Sequence, residues 1–250
     1  LGDTEATAEN LRKIGLASNH LLTLINDILD ISKVESGKLN LSPVTFSIVE
    51  TVQNLMNLSQ SMIKEKNINF SFRINHMEKE YLYADQLRLN QIYINILSNA
   101  IKYTEPGGRV SVDMREEKSP TPGCIRLIYV VADTGIGMSE EFQKTIFEAF
   151  TREQTSTVSG IQGTGLGVAI TKNIVDMMGG VITVRSIEGE GSEFVVELPC
   201  KISSDSTKFE QRRSHSEILC KYQGVVLYPS EELRCLCYSL KMVDVLVEHI

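Results

Sequence analysis

At 250 residues the chain has room for one large domain with a smaller element, or for two domains. Hydrophobic residues make up 42% and charged residues 23%, the balance of an ordinary soluble globular protein. A net charge of −7 with no offsetting basic block argues against a nucleic-acid partner. No uninterrupted apolar stretch is long enough to cross a bilayer, so this stretch of chain is expected to make no membrane contact. The start carries no signal-peptide pattern and opens on Leu1-Gly2-Asp3 rather than Met, as a piece of a longer protein would. A membrane region upstream therefore stays open. The five cysteines have neither disulfide nor metal spacing, and Cys235-x-Cys237 lacks a second pair; reduced thiols in a cytoplasmic protein are expected.

The first segment, roughly 4–38, reads as one long helix. Ile14, Ala17, Leu21, Leu24, Ile28 and Ile31 fall on an a/d seam, and Leu22, Ile25 and Leu29 widen it. A stripe that wide suits a helix in a bundle, or else a core helix of the domain that follows. Leu39, Leu41, Val44 and Phe46 read as extended, 48–66 as a helix, and 68–74 as an alternating strand. Residues 83–103 predict a strong amphipathic helix. Strands follow at 110–114 and 125–132, with a turn-rich loop around Pro120, Pro122 and Gly123 between them. Short helices are predicted at 140–150 and 165–178, then a hairpin of 181–186 and 192–198. Strands and helices alternate without strict βαβ repetition. The expected fold is an α/β (α+β) two-layer sandwich, a mixed sheet packed on helices. Residues 202–222 are polar and read as a linker; Val225-Val-Leu-Tyr228 reads as a strand beyond it.

Three motifs carry chemistry. Asn95 and Asn99 lie one helical turn apart, with Lys102 and Tyr103 just beyond. Amide oxygens suit a Mg²⁺ that keeps phosphates and water in its other positions, and a nearby lysine can meet phosphate charge. The plainer reading is a solvated polar face. Asp133 ends an apolar run and is followed by Thr134, Gly135, Ile136 and Gly137. A carboxylate there can accept hydrogen bonds deep in a pocket, while glycines let the backbone turn toward a flat ligand; an ordinary Asp-Thr-Gly turn is the alternative. Gly163-Thr164-Gly165-Leu166-Gly167 opens a helix, where exposed N–H groups and the dipole favour anions, although a flexible connection would look the same. It lacks the Lys-Ser/Thr of a P-loop. The polar stretch between the last two motifs, 151–159, reads either as a mobile lid or as a surface loop.

In their order and spacing these motifs resemble the catalytic region of sensor histidine kinases of the hybrid type. Asp85-x-x-Arg88-Leu89-x-Gln91 through Thr104 looks like the family's N box, and Asp133 to Met138 like its G1 box. Phe147-Glu148-Ala149-Phe150 looks like the F box, and Gly163 to Gly167 like the G2 box. Residues 21–39 look like the second helix of the dimerisation and phosphotransfer domain. The resemblance implies ATP and Mg²⁺, with Asn99 the principal metal ligand and Asn95 beside it. Lys102 and Tyr103 would contact phosphates or ribose, Asn99 and Lys102 serving catalysis. Asp133 would accept the adenine amino group. Gly135, Gly137, Gly163, Thr164, Gly165, Leu166 and Gly167 would shape the adenine and phosphate walls, and Arg152 would reach a phosphate from the lid.

Relatives that hydrolyse ATP carry a glutamate four residues before the metal asparagine, where this chain has Asn95. Without that base the site is expected to hold ATP for a protein acceptor. The family's phosphoacceptor histidine sits on the first bundle helix, in an acidic, Leu-Arg and Pro context that none of His20, His76, His215 and His249 has. The implied division is a bundle helix at 1–38, the ATP-binding domain at 39–201, a linker at 202–222 and the start of a degenerate or truncated receiver at 223–250. The implied activity is protein-histidine kinase, with a nucleotide-binding regulatory module without transfer as the alternative. The implied partners are a second copy in a homodimer and a response-regulator receiver in cis or in trans. The implied place is the cytoplasm, as the intracellular part of a membrane-bound sensor.

Overall fold

The structure is a computed structural model and describes residues 2–37, 39–151, 164–203, 221–222 and 225–229. The elements are α1 (Gly2–Glu35), β1 (Val44–Ser47), α2 (Ile48–Glu65), β2 (Asn69–Asn75), β3 (Tyr81–Ala84), α3 (Gln86–Tyr103), β4 (Arg109–Lys118) and β5 (Cys124–Asp133). They continue as α4 (Glu140–Thr145), α5 (Gly167–Met177), β6 (Val181–Ile187), β7 (Gly191–Ile202), β8 (Lys221–Tyr222) and β9 (Val225–Pro229). The strands form one open mixed sheet in the order β1-β3-β7-β5-β4-β2-β9-β8, with β6 also on β7. β2 pairs parallel with β4 and with β9, and the other pairings are antiparallel.

One face of this sheet is covered by helices, and the alternation of the strands says which. On β4, Val110, Val112 and Met114 are buried while Ser111 and Asp113 between them are not. Leu127, Tyr129 and Val131 of β5 and Phe70 and Phe72 of β2 face the same way. α3 lies over this face, burying Leu89, Ile92, Tyr93, Ile96 and Leu97, flanked by α2 and α5. Each such large apolar side chain contributes about 1.5–3 kcal/mol by leaving water. The Tyr93 and Tyr129 rings stack at 4.4 Å between centroids, and the Tyr129 hydroxyl donates to the Tyr93 carbonyl at 3.3 Å.

The expected sandwich and mixed sheet are present, and several boundaries move. The helix predicted from Tyr83 starts at Gln86, because Asp85 caps it: the Asp85 carboxylate accepts the Arg88 N–H at 3.0 Å. Residues 81–84 instead form β3, which inserts between β1 and β7 with Leu82 and Ala84 buried. The helix predicted for 140–150 ends at Thr145; Phe150, with φ +64°, has a left-handed backbone that cannot extend it. Of the segment expected to be extended from Leu39, Val44–Ser47 form the paired strand β1; the Leu39 N–H donates to the Lys33 carbonyl at 3.1 Å and closes the end of α1. The strand expected near Val225 is β9, which extends the sheet beside β2. The rest of the expected linker and tail, with His215 and His249, lies outside the described residues, as does the side chain of His20.

α1 divides its broad apolar stripe. Leu24 is half-buried and Ile31 buried against the domain, with α1 packing on α5. Leu11, Ile14, Leu21, Leu22, Ile25, Ile28 and Leu29 are exposed.

Candidate functional site

α3 is the common wall of the site. It carries Asn95, Asn99, Lys102 and Tyr103, all half-buried, along its C-terminal half. Two links join it to the other motifs. At its end, the Tyr103 carbonyl accepts the N–H of Ile136, inside the loop after Asp133, at 3.2 Å. One turn and more upstream, the Asn95 amide nitrogen donates to the Gly167 carbonyl and to Thr171 Oγ1, each at 3.3 Å, which ties α3 to the first turn of α5. Among the described residues Asn99 has no hydrogen-bond partner for its side chain. The Lys102 ammonium lies 5.0 Å from the centroid of the Tyr103 ring, a cation–π distance.

The loop after β5 is built from the backbone. Asp133 Oδ1 accepts the Gly135 N–H at 2.8 Å, closing a tight turn. A Cβ on Gly135 would come within 2.5 Å of the Tyr103 carbonyl oxygen, so only glycine lets this loop approach α3. Gly137, at φ +64°, packs so closely that a Cβ would strike the Ile187 carbonyl oxygen. The Gly189 N–H donates to the Ile136 carbonyl at 2.8 Å, so the β6–β7 turn holds the loop from behind. Burial pushes the Asp133 carboxyl up from its usual range, against the pull of the Gly135 and Ser192 N–H groups.

The glycine loop does open a helix. Leu166, buried, precedes α5, which begins at Gly167, and Gly165 has φ +71°. Thr164 Oγ1 accepts the Leu166 N–H at 3.0 Å and donates to Asp27 of α1 at 3.2 Å. The Gly165 carbonyl accepts the Phe150 N–H at 3.1 Å, which brings the end of the Phe147–Phe150 segment to the same loop. Gly163 and Arg152, both expected in the site, lie outside the described residues, as does most of the expected lid.

Residues 84–202 match the family described as histidine kinase-, DNA gyrase B-, and HSP90-like ATPase. Residues 84–202 are a domain of this family. Its relatives include the autoinducer 2 sensor kinase/phosphatase LuxQ of Vibrio vulnificus (strain CMCP6), 38% identical over 195 residues, 77% of this chain and 23% of LuxQ. The circadian input-output histidine kinase CikA of Synechococcus elongatus is 39% identical over 198 residues, 78% of this chain and 25% of CikA. In structure the chain is similar to full-length ShkA in complex with AMPPNP, with a TM-score of 0.61 and 32% identity, covering 74% of this chain and 36% of ShkA. The chain therefore spans about a quarter of the length of these two sensor kinases.

The histidine kinase-like ATPase domain so defined begins one residue before the Asp85 cap and ends with β7. It contains all three motifs and leaves out α1. Sequence reasoning did not find the contacts that reach beyond it. Asp30 of α1 accepts from Arg88 Nη1 at 3.0 Å and from the Gln91 amide at 2.9 Å. Burial pushes the Asp30 carboxyl up, but the Gln91 and Arg88 bonds outweigh it and leave the carboxyl below its usual value. Asp27, with burial as the main cause and Asp30 adding repulsion, is pushed up. The signal for these contacts was present as Arg88 and Gln91 three apart on one face of α3, but nothing in the local sequence names a partner 58 and 61 residues away.

Proposed function

We propose that residues 39–201 bind Mg·ATP and donate its γ-phosphoryl group to a histidine carried outside this chain. The observation that carries this reading is the double stitching of α3, to the Asp133 loop through Tyr103 and to the glycine loop through Asn95. It gathers an acceptor for an amino group, amides, a lysine and helix-opening N–H groups along one wall. Asp133 accepts the adenine amino group; the close approach of Gly135 and Gly137 shapes a flat slot beside it. Lys102 and Tyr103 meet phosphates or ribose. Thr164, Gly165 and Gly167 offer backbone N–H groups at the positive end of α5, while the Leu166 N–H, bonded to Thr164 Oγ1, helps to shape the loop.

The donor set fits a Mg²⁺ that arrives with the nucleotide. Among the described residues no group of three His, Cys, Asp or Glu could hold a metal by itself. Asn99 offers an amide with no other described partner, and Asn95, its nitrogen spent on Gly167 and Thr171, keeps its oxygen. Bound there, Mg²⁺ would neutralise charge on the transferred phosphoryl group, phosphates and water supplying its other ligands. An amide at Asn95 cannot take a proton from water at neutral pH, so water attack lacks a base. ATP is then kept for the acceptor imidazole: its nitrogen bonds the γ-phosphorus as the bond to the β-phosphate oxygen breaks and ADP leaves.

The remaining parts follow the same reading. α1, with its outer stripe of Leu21, Leu22, Ile25, Ile28 and Leu29 in water, is the second helix of a dimerisation bundle, to which a second copy contributes its own α1. A response-regulator receiver, in cis or in trans, takes the phosphoryl group onward. No described helix is long and apolar enough to cross a membrane; the region works in the cytoplasm as part of a membrane-bound sensor. Relatives named as kinases lend no support to a regulatory module without transfer.

The test is to mix the chain with γ-labelled Mg·ATP and a two-helix bundle bearing the acceptor histidine. Acid-labile label on the bundle is expected, and Asn99→Ala should reduce its rate by at least about a hundredfold. No label on the bundle despite measured ATP binding would overturn the proposal.

A further inference from the structure

The C-terminal end of α3, where Lys102 and Tyr103 stand, poses an accounting problem. The last four carbonyls of a helix have no partner within it. In α3 these belong to Ala100, Ile101, Lys102 and Tyr103. Ala100 is served by Thr104, whose N–H and hydroxyl donate to it at 3.2 and 2.6 Å. Tyr103 is served by the Ile136 N–H. The other two are served from another helix: Lys66 Nζ donates to the Ile101 carbonyl at 3.2 Å and to the Lys102 carbonyl at 2.6 Å. It also reaches the Thr104 carbonyl, one residue past the helix, at 2.8 Å. One ammonium thus spends its three N–H donors on three main-chain oxygens. A cation here also lies at the negative end of the α3 dipole.

Lys66 is itself held. It caps α2, its N–H donating to the Met62 carbonyl at 3.2 Å, and Asn67 after it turns left-handed at φ +52°. Its carbonyl accepts the Gly107 N–H at 3.3 Å, so the loop leaving α3 also returns to it. The chain of bonds therefore runs from α2 through the Lys66 ammonium into the end of α3, and from Tyr103 into the loop of Asp133.

We propose that Lys66 is a positioning residue for the nucleotide site. It touches no reacting atom. It fixes where the last turn of α3 ends, and with it the separation between Lys102 and Tyr103 on one side and Asp133 on the other. This inference rests on the ATP-binding reading given above. Without the ammonium, two helix-terminal carbonyls and the Thr104 carbonyl turn to water, the last turn frays, and the Ile136 N–H loses a fixed acceptor.

The test measures Mg·ATP binding by calorimetry on the whole chain, with Lys66→Met, Lys66→Arg and Lys66→Gln beside the parent. Lys66→Met keeps the apolar stem and should weaken Mg·ATP about tenfold well below its melting temperature, because the binding groups lose their registration. Lys66→Arg keeps charge and donors and should restore most of that loss. Amide exchange supplies a second readout that a locally structural role would not move: the Ile136 N–H, on the far side of α3, should exchange faster in Lys66→Met. Parental affinity in folded Lys66→Met, or an Arg variant as weak as the Met variant, would overturn the proposal. Should Lys66→Met not fold, Lys66→Gln decides, since it has N–H donors and no charge; parental affinity in it overturns the positioning role. A parent chain that does not bind Mg·ATP overturns the ATP reading itself and this inference with it, which separates the two failures.

Discussion

The two walls that α3 joins are held together by different means. Around Asp133 the bonds are mostly main chain to main chain: Ile136 to Tyr103, Gly189 to Ile136, and Thr134 to Arg109 at 3.0 Å. Glycines there pack against backbone with no room for a side chain. Around Thr164–Gly167 the bonds run mostly through side chains: Asn95 to Gly167, Thr164 to Leu166, and Thr164 to Asp27 of α1. A wall made of backbone bonds between a strand end, a helix end and a hairpin turn can move only if the sheet does. A wall made of side-chain bonds can exchange them one at a time. In the proposed site, the side assigned to adenine is thus preformed, while the side assigned to the phosphates is adjustable and its adjustment is tied to the position of α1.

Variants that strike one wall and spare the other sharpen this contrast. Asp133→Ala, which removes the acceptor on the rigid wall, should cost the most: about 10–100-fold in Mg·ATP affinity, read by calorimetry. A pH series gives the sign of the same interaction. In the proposed site the ionised carboxylate is the acceptor, and burial raises its pKa, so affinity should fall as pH drops toward a value above the usual 3.8. Asp133→Asn should flatten that dependence.

Asp30→Ala comes next and acts on the joint between α1 and the domain. The Asp30–Arg88 pair is only about one-sixth exposed, with side-chain accessibilities of 16% and 15%. Its loss should cost about 1–2 kcal/mol of stability by denaturant unfolding, in the range of a charged hydrogen bond. Because the folded pKa of Asp30 is lowered, its contribution is present above the usual 3.8 and is lost as pH falls through the lowered value. Asp133→Ala should leave this stability nearly intact, and Asp30→Ala should leave adenine recognition nearly intact. A variant that damages both equally would mean that the walls are not separate.

Tyr93→Phe should have the smallest effect and serves as the control that touches neither wall. The Tyr93 hydroxyl is the one buried side-chain polar atom without a partner among the described residues. Removing it should leave stability unchanged or raise it by up to about 1 kcal/mol in thermal melts, since an orphaned hydroxyl costs its desolvation.

The legibility of these parts in the sequence tracks how local each one is. The Asp133 turn, the glycine loop and the Asn95–Asn99 pair are each written within a few residues, so the motifs could be read directly. β3 was not, because Tyr81–Ala84 runs straight into the apolar positions of α3 and its two-residue alternation is absorbed by the longer helical pattern. The stripe of α1 was legible, but its division was not. A stripe with apolar residues on several seams does not say which seam a neighbour takes, and here Ile31 goes to the domain while Leu21 and Ile28 stay in water. Lys66 left no trace, because its partners are main-chain oxygens 35, 36 and 38 residues away, and any residue supplies a carbonyl. Arg152 and Gly163 rest on the resemblance alone.

Amide hydrogen exchange with and without Mg·ATP tests most directly that nucleotide enters between a fixed and an adjustable wall of α3. The N–H groups of Thr134, Gly135 and Ile136, bonded already, should exchange slowly in both states. Those of Gly165 and Gly167 should be protected only when Mg·ATP is present. Unchanged exchange across Gly165–Gly167 at saturating Mg·ATP, or slowing confined to some other part of the chain, would contradict the placement of the nucleotide.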